Sequence, residues 1–408
     1  MNVLFLSTRS PYPLISGHSL RTYHIMRGVA KRHNVTLVTH IQLDEELKSE
    51  NIDHLKSICK AVYPYRIPAD ASRFKLVSAL IKNLFSLKPF VAQKYDFPLM
   101  RRKIQEILKK GTIDLVHVDM LPLTAYEQEF SDIPKILVNH NVESLRLFRW
   151  CQNEKNILKK IYLGIQYIKL KAFERIAMRK FDCCVAVSEI DRNILQAMGG
   201  ENKIVVVPNG TDTNFFKPLG RNKIEKSVLW IGHMDVHTNL DAVLYFMRDI
   251  YPVLKMKCPD VRIIFVGTSP PTEITEAEKK DKNIKTTGFV NDIRPYLDEA
   301  MVLMVPIRIG SGTRLKILDS MAMGKAIVST RVGCEGLNVT DGKDIFIGDT
   351  PEDFADRVVH LLNNPKQREL LQKNARDLAR TYDWEKIEEK QEAVYRQAIY
   401  NYQQKKKG

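Results

Sequence analysis

Met301-Val302-Leu303-Met304-Val305-Pro306-Ile307-Arg308-Ile309-Gly310-Ser311-Gly312-Thr313-Arg314-Leu315-Lys316-Ile317-Leu318-Asp319-Ser320-Met321-Ala322-Met323-Gly324 decides the fold of this 408-residue chain. Met301–Val305 is short and apolar throughout, the pattern of a strand buried on both faces. A loop with Gly310 and Gly312 follows, and from near Thr313 the apolar residues Leu315, Leu318, Met321 and Ala322 recur at helical spacing. Strand, glycine loop and helix in that order form one unit of a parallel α/β sheet. The first turns of a helix leave amide N–H groups without internal partners, and the macrodipole adds positive potential there. Gly310 and Gly312 remove side chains that would block an anion, while Arg314 and Lys316 add two full positive charges. Phosphate binding calls for this combination. The plainer alternative is a tight turn with solvated Arg and Lys. Asp319 lies three residues beyond Lys316, so both can reach one end of the helix. A carboxylate there would repel phosphate and is better used to accept hydrogen bonds from a ribose; the alternative is a surface ion pair with Lys316.

Working outward, the same alternation runs through the chain. Strand candidates in the first half are Val3–Ser7, Val35–Thr39, Leu115–Val118, Lys135–Asn139 and Cys184–Val187, with an amphipathic helix at Ser19–Arg32. A second series comprises Ser227–Ile231, Val261–Val266, Thr286–Phe289, Met301–Val305, Ala326–Ser329 and Asp344–Ile347. Between them, Pro208-Asn209-Gly210-Thr211-Asp212 and the polar run after Phe215-Phe216-Lys217-Pro218 read as turn and connector. The expected organisation is therefore two α/β domains, residues 1–207 and 227–384, joined by a linker at 208–226. The tail from Pro351 to Gln403 reads as two or three helices.

Composition narrows the function. The net charge is +15, and residues 1–200 hold 31 Lys/Arg against 19 Asp/Glu, so most of the excess sits in the first half. Such a field attracts an anionic membrane surface, an acidic acceptor or nucleic acid. Nucleic acid ranks last, because no recognisable binding module accompanies the charge. Two stretches, Phe74–Leu87 and Asn156–Lys180, are amphipathic and basic. They read either as helices with solvated basic faces or as interfacial docking segments. Six cysteines lack metal-ligand spacing and read as reduced core residues, so no zinc site is expected. No apolar run is long enough to span a bilayer, and the N-terminus reads as a buried strand rather than a signal peptide. A cytoplasmic chain, with the inner membrane face as one candidate partner, is the expectation.

The chain resembles the retaining glycosyltransferases of the group 1 or family 4 type. Their helix motif L-E-A-M-A-x-G-x-P-V-V is similar to Leu318–Val328, and the branch reading G-[GS]-G-T-R-L-K is matched by Gly310–Lys316. Val207–Phe216 is similar to the family's V-P-N-G-V-D-x-x-x-F, Gly232–Asn239 to G-x-x-x-x-x-x-N, Val266-Gly267 to its V-G segment, and Gly288–Asp292 to G-F-V-x-D. The resemblance implies a GT-B fold: two Rossmann-like domains with parallel sheets facing across a donor/acceptor cleft. It implies that a helix at about 385–403 returns to the N-terminal domain. It also implies transfer of a sugar from a nucleotide-diphosphate donor to a glycan or lipid-linked acceptor, without a metal or other cofactor. Arg314 and Lys316 would stabilise the diphosphate as charge builds on the leaving group. Asp319 would bind the ribose. Gly232, Gly267, Gly310, Ser311, Gly312, Thr313 and Leu315 would line the donor site, and Val290 would offer its backbone to the base. Pro11–Gly17 resembles the family's glycine-rich loop, which gives Gly17 a place near a phosphate and puts His18 on the acceptor side. His140 falls where the family has a histidine near the transferred sugar; the alternative is a strand-end histidine bonded to backbone.

Three departures stand out. Ser311 occupies the position of the family's first glutamate, and Asp319 replaces its second. His233, Met234, Asp235 and His237 stand where many members carry Arg and Lys, leaving Arg314 and Lys316 as the main cations. Two other readings of the same fold are a nucleotide-sugar epimerase or hydrolase and a catalytically silent binding partner.

Overall fold

The computed structural model describes residues 1–68, 73–199, 204–310 and 312–407, with backbone alone at 73–75; Ser311 lies outside the described residues. The chain divides into two compact units, Met1–Pro208 with Trp384–Gly408 and Asn209–Asp383.

The first unit contains β1 (Asn2–Ser7), β2 (Asn34–Ile41), β3 (Ala61–Arg66), β4 (Leu115–Asp119), β5 (Lys135–Asn139), β6 (Cys183–Ala186) and β7 (Ile204–Val206). They form one sheet in the order β3-β2-β1-β4-β5-β6-β7, with every pairing parallel. The second unit contains β8 (Ser227–Ile231), β9 (Arg262–Val266), β10 (Ile284–Thr286), β11 (Val302–Val305), β12 (Ala326–Ser329) and β13 (Phe346–Ile347). Its order, β10-β9-β8-β11-β12-β13, repeats that of the first, again all parallel. Both are doubly wound, with the direction of winding reversing between β1 and β4 and between β8 and β11. Open α/β sheets bind ligands outside the carboxyl ends of their strands at such reversals.

Burial explains why the central strands are near-continuous apolar runs. Along β8, Val228 and Trp230 enter one core cluster with Ile263, Phe265 and Met304. Leu229 and Ile231 enter a second with Leu303, Val305 and Ile317 on the opposite face. A strand covered by helices on both sides has no face left for polar alternation.

The helix Trp384–Lys407 packs in the first unit. The Trp384 ring stacks on His24 at 4.6 Å, Glu388 pairs with Lys31 at 2.8 Å, and Glu392 meets His33 at 2.7 Å. Tyr395 Oη lies 2.7 Å from His117 Nδ1 beneath the sheet's centre.

Several expectations need correction. Of the stretch 208–226 expected to link the domains, the part from Asn209 onward belongs to the second unit. Leu219 N and Arg221 N donate to the Asp298 carboxylate at 3.2 and 2.6 Å, and Ile224 N to Glu299 O at 2.8 Å. Strands β3 and β7 escaped the sequence reading because both are sheet edges. β3 is half-buried and interrupted by Pro64, which an edge tolerates, and β7 is only three residues long. β10 ends at Thr286 rather than Phe289, and β13 begins at Phe346 rather than Asp344. The helix expected from near Thr313 begins at Leu315, with Arg314 at its N-cap in extended conformation.

Candidate active site

In the second unit, the site is built where β8, β9 and β11 end. β8 runs into Gly232, whose φ of +151° is a conformation that favours glycine. Gly232 N donates to Val266 O at 2.9 Å, and Gly267, at φ +144°, presses against it: a Cβ on Gly267 would lie 1.7 Å from Gly232 O. Gly267 therefore holds the turn of Gly232 rather than opening a surface of its own. Beyond β11, Gly310 and Gly312 also have positive φ, +129° and +78°. A Cβ at Gly310 would fall 2.5 Å from the Arg314 guanidinium, so the glycine is what lets Arg314 fold over the loop. Arg314 Nη1 donates to Gly312 O at 3.0 Å. Thr313 Oγ1 accepts from Asn209 Nδ2, tying the loop to the start of this unit.

Lys316, in the first turn of the helix Leu315–Ala322, reaches back toward the end of β8. Its Nζ donates to Ile231 O at 2.7 Å, lies 3.4 Å from Asn239 Oδ1, and sits 4.6 Å from the centroid of the Trp230 ring. No carboxylate pairs with it among the described residues. Burial, reinforced by the charge of Arg314, pulls its pKa down to about 7. An ammonium held by a carbonyl, an amide oxygen and an indole face, beside a second cation, is short of negative charge. Asn239 also donates from Nδ2 to His233 O at 2.8 Å, so one side chain fixes both the loop after β8 and the lysine.

Asp319 does not pair with Lys316. The lysine stem extends over Trp230, whereas the short Asp319 side chain accepts a hydrogen bond from Thr211 Oγ1 at 2.7 Å. Burial raises its pKa to about 7, with Asp212 adding to the rise and the Thr211 bond opposing it. Val290 lies in the loop after β10, half-buried against the core, and its backbone makes no hydrogen bond among the described residues. Leu315 is half-buried as the first helical residue.

In the first unit, four side chains converge on one carboxylate at the winding reversal, two of them in hydrogen-bond contact. Asp119 ends β4, and it was not singled out from the sequence. His140 Nε2, just past β5, lies 2.7 Å from Asp119 Oδ1. Thr22 Oγ1 donates to Oδ2 at 2.6 Å, and His18 Nε2 lies 3.4 Å from Oδ2. His117 Nε2 approaches Oδ1 at 3.9 Å from beneath. Burial alone pushes the Asp119 carboxyl up, but His140, His117 and His18 outweigh it and hold the group well below the usual carboxylate range. Burial lowers the His140 pKa despite the attraction of Asp119. The arrangement is an ionised carboxylate with a neutral imidazole donating through Nε2, which leaves His140 Nδ1 as an acceptor. His140 is thus bonded to a side chain, and to no backbone group among the described residues. The His18 ring stands edge-on to it at 4.7 Å.

His18, Asp119 and His140 offer ligand atoms within 4.8 Å of one another, a spacing that a metal ion could use. Both Asp119 oxygens already receive donors, so the cluster as it stands is a hydrogen-bond network. Gly17 is the first residue of the helix Gly17–Ala30, capped by Ser16 and Ser19, and has no positive φ. Arg21, one turn on, is buried and donates from both Nη atoms to Val207 O and Pro208 O at 2.8 Å.

Two doubly wound units, with a cationic glycine loop on the second, are the architecture of the GT-B fold. The chain belongs to the group 1, family 4 glycosyltransferases: residues 15–215 match the family described as Glycosyltransferase Family 4 and residues 225–364 the one described as Glycosyl transferases group 1. An uncharacterised 44.6 kDa protein in the cps region of Klebsiella pneumoniae is 24% identical over 89% of this chain and 91% of its own. Among solved structures, HepE of Anabaena in complex with UDP superposes with a TM-score of 0.66 at 15% identity, over 95% of this chain and 98% of that one. Sucrose-phosphate synthase of Thermosynechococcus elongatus gives 0.70 at 16% identity, over 97% and 99%.

Proposed function

We propose that this chain transfers a sugar, with retention of anomeric configuration and without a metal, from a nucleotide-diphosphate donor to a glycan or lipid-linked glycan acceptor. The observation that carries the reading is Lys316: a buried ammonium with no carboxylate partner among the described residues, beside Arg314 and the glycine loop Gly310–Gly312. A diphosphate supplies the missing negative charge, and its binding raises the lysine's pKa. In the transition state charge accumulates on the departing phosphate, where two preorganised cations and helix N-terminal amides stabilise it most. Those cations do the work that a divalent ion does elsewhere. Asp319 accepts from the ribose hydroxyls, and Val290 presents its backbone groups to the base. Retention follows the family, and HepE, solved with UDP, favours a uridine donor. His140 Nδ1 is placed to accept a hydrogen bond from a sugar hydroxyl, with Asp119 fixing its tautomer.

The test is donor turnover followed by NMR of the anomeric proton, with and without added Mg²⁺ and chelator. Retained configuration and chelator-insensitive turnover support the reading. Inversion would reject the retaining mechanism, and chelator-sensitive turnover would reject metal independence.

A further inference from the structure

The helix Ile157–Lys180 has two apolar faces. Leu163, Leu170 and Ala177 are buried, the last two in the first unit's core, and on the other side Ile157, Ile161, Ile165, Ile168 and Ile176 recur at helical spacing and are exposed. A soluble helix has one apolar stripe; a second one facing outward lacks a partner. The stripe continues onto a neighbouring element. Gln166 Nε2 and Lys169 Nζ each hydrogen-bond Asn83 at 2.8 Å, at the end of the helix Arg73–Leu84, which exposes Val77, Ile81 and Leu84. Just beyond, Phe85 and Leu87 are 89% and 95% exposed, with Lys82 and Lys88 to either side.

The charge around this apolar face is predominantly positive. Residues 146–180 carry ten Lys/Arg and two Asp/Glu. On its far edge lies a groove of about 640 Å³ between this helix and Glu143–Asn153, lined by Leu145, Phe148, Tyr167 and Met198 with Lys171 and Arg175. Neither Lys171 nor Arg175 has a carboxylate partner among the described residues. An apolar groove carrying two such cations fits the phosphate and the upper chain of an anionic lipid.

We infer that the first unit docks on an anionic bilayer through this face. Phe85 and Leu87 enter the acyl boundary, the exposed isoleucines lie in the interface plane, and Lys171 and Arg175 hold a lipid phosphate. Interfacial elements of this kind combine buried apolar area with attraction to anionic headgroups. The inference does not depend on the donor site, and it gives a lipid-linked acceptor a surface on which to meet the enzyme.

Co-sedimentation of the full chain with vesicles tests it, using phosphatidylcholine alone and phosphatidylcholine with phosphatidylglycerol, at low and high salt. The wild type is expected to sediment with the anionic vesicles and to be partly released by salt. Phe85→Ser with Leu87→Ser should weaken binding on the order of tenfold or more at either salt. Lys171→Glu with Arg175→Glu should remove the salt-sensitive part. Absence of vesicle binding by the wild type, or unchanged binding by the Phe85/Leu87 variant, overturns the proposal. So does a concentration-dependent dimer that this variant abolishes, which would assign the face to a second copy. Nucleotide-induced thermal stabilisation, measured without vesicles, reports separately on the donor site and on the fold of each variant.

Discussion

At the scale of single residues, the account rests on two buried charges with opposite needs. Burial and the neighbouring Arg314 pull the Lys316 pKa down to about 7, so its ammonium is far easier to deprotonate than an ordinary lysine. Its charged form binds phosphate, so donor affinity should fall as pH rises above 7, by up to tenfold per unit for one proton lost. Calorimetric titration of the nucleotide against pH checks this, and the trend should vanish in Lys316→Met. That variant should lose about 10²–10³ in kcat/KM, as when a transition-state donor is removed. It should also melt no lower than wild type at pH 6 without ligand, since a buried unpaired ammonium costs stability there. Asp119 has the reverse sign. Its depressed pKa contributes stability that is present above the unfolded value near 4 and is lost as pH falls through the folded one. Asp119→Asn should cost about 1–3 kcal/mol by denaturant titration at pH 7, with the loss shrinking in acid. Asp119 was illegible as a special residue because Leu115-Val116-His117-Val118-Asp119 reads as an ordinary strand. Its neighbours Thr22, His18 and His140 come from segments far apart in the chain and meet only through the sheet order. The available signal was its place: a carboxylate closing a parallel strand, where α/β folds put their sites.

At the scale of elements, legibility tracked burial. Central strands covered on both faces are written as apolar runs and could be read with boundaries nearly right. The edges β3 and β7 are polar, short or proline-bearing, and could not. The glycine loop was legible as a phosphate cradle from Gly310 and Gly312, but its curvature was not. Only the structure shows that Gly310 makes room for Arg314 and that Gly267 clamps Gly232. A Cβ at Gly267 would overlap backbone at 1.7 Å, whereas at Gly288, with φ +69°, it meets nothing within 4 Å. Gly267→Ala should therefore destabilise the second unit by about 3 kcal/mol or more and lower donor affinity. Gly288→Ala should cost only the ~1–2 kcal/mol of its backbone conformation. Thermal melts of the two variants distinguish steric from conformational cost.

At the scale of the whole molecule, the two units repeat one strand order, and the chain's last helix joins the first unit. That helix supplies Tyr395, whose hydroxyl meets His117 Nδ1 in a fully buried position next to Asp119. Tyr395→Phe should cost about 1–3 kcal/mol by leaving His117 Nδ1 without its partner, seen as a lower unfolding midpoint of the first unit with donor affinity unchanged. The chain passes from the first unit to the second at Pro208 and Asn209, and the polar, turn-rich stretch that follows runs along the second unit. Asp298 collects the backbone amides of Leu219 and Arg221 and binds that stretch to the second unit.

The central claim is that the loop Gly310–Lys316 holds the diphosphate of a nucleotide sugar. A thermal-shift panel of UDP, GDP, ADP, dTDP and their sugar conjugates tests it most directly, run without metal on the wild type and on Lys316→Ala. At about 100 times the dissociation constant, a ligand that binds only the folded state adds roughly 2.7 kcal/mol, a rise of roughly 5–10 °C. The account predicts such a rise with one nucleotide in the wild type and its loss in the variant. No shift with any nucleotide, or an equal shift in both proteins, would contradict it.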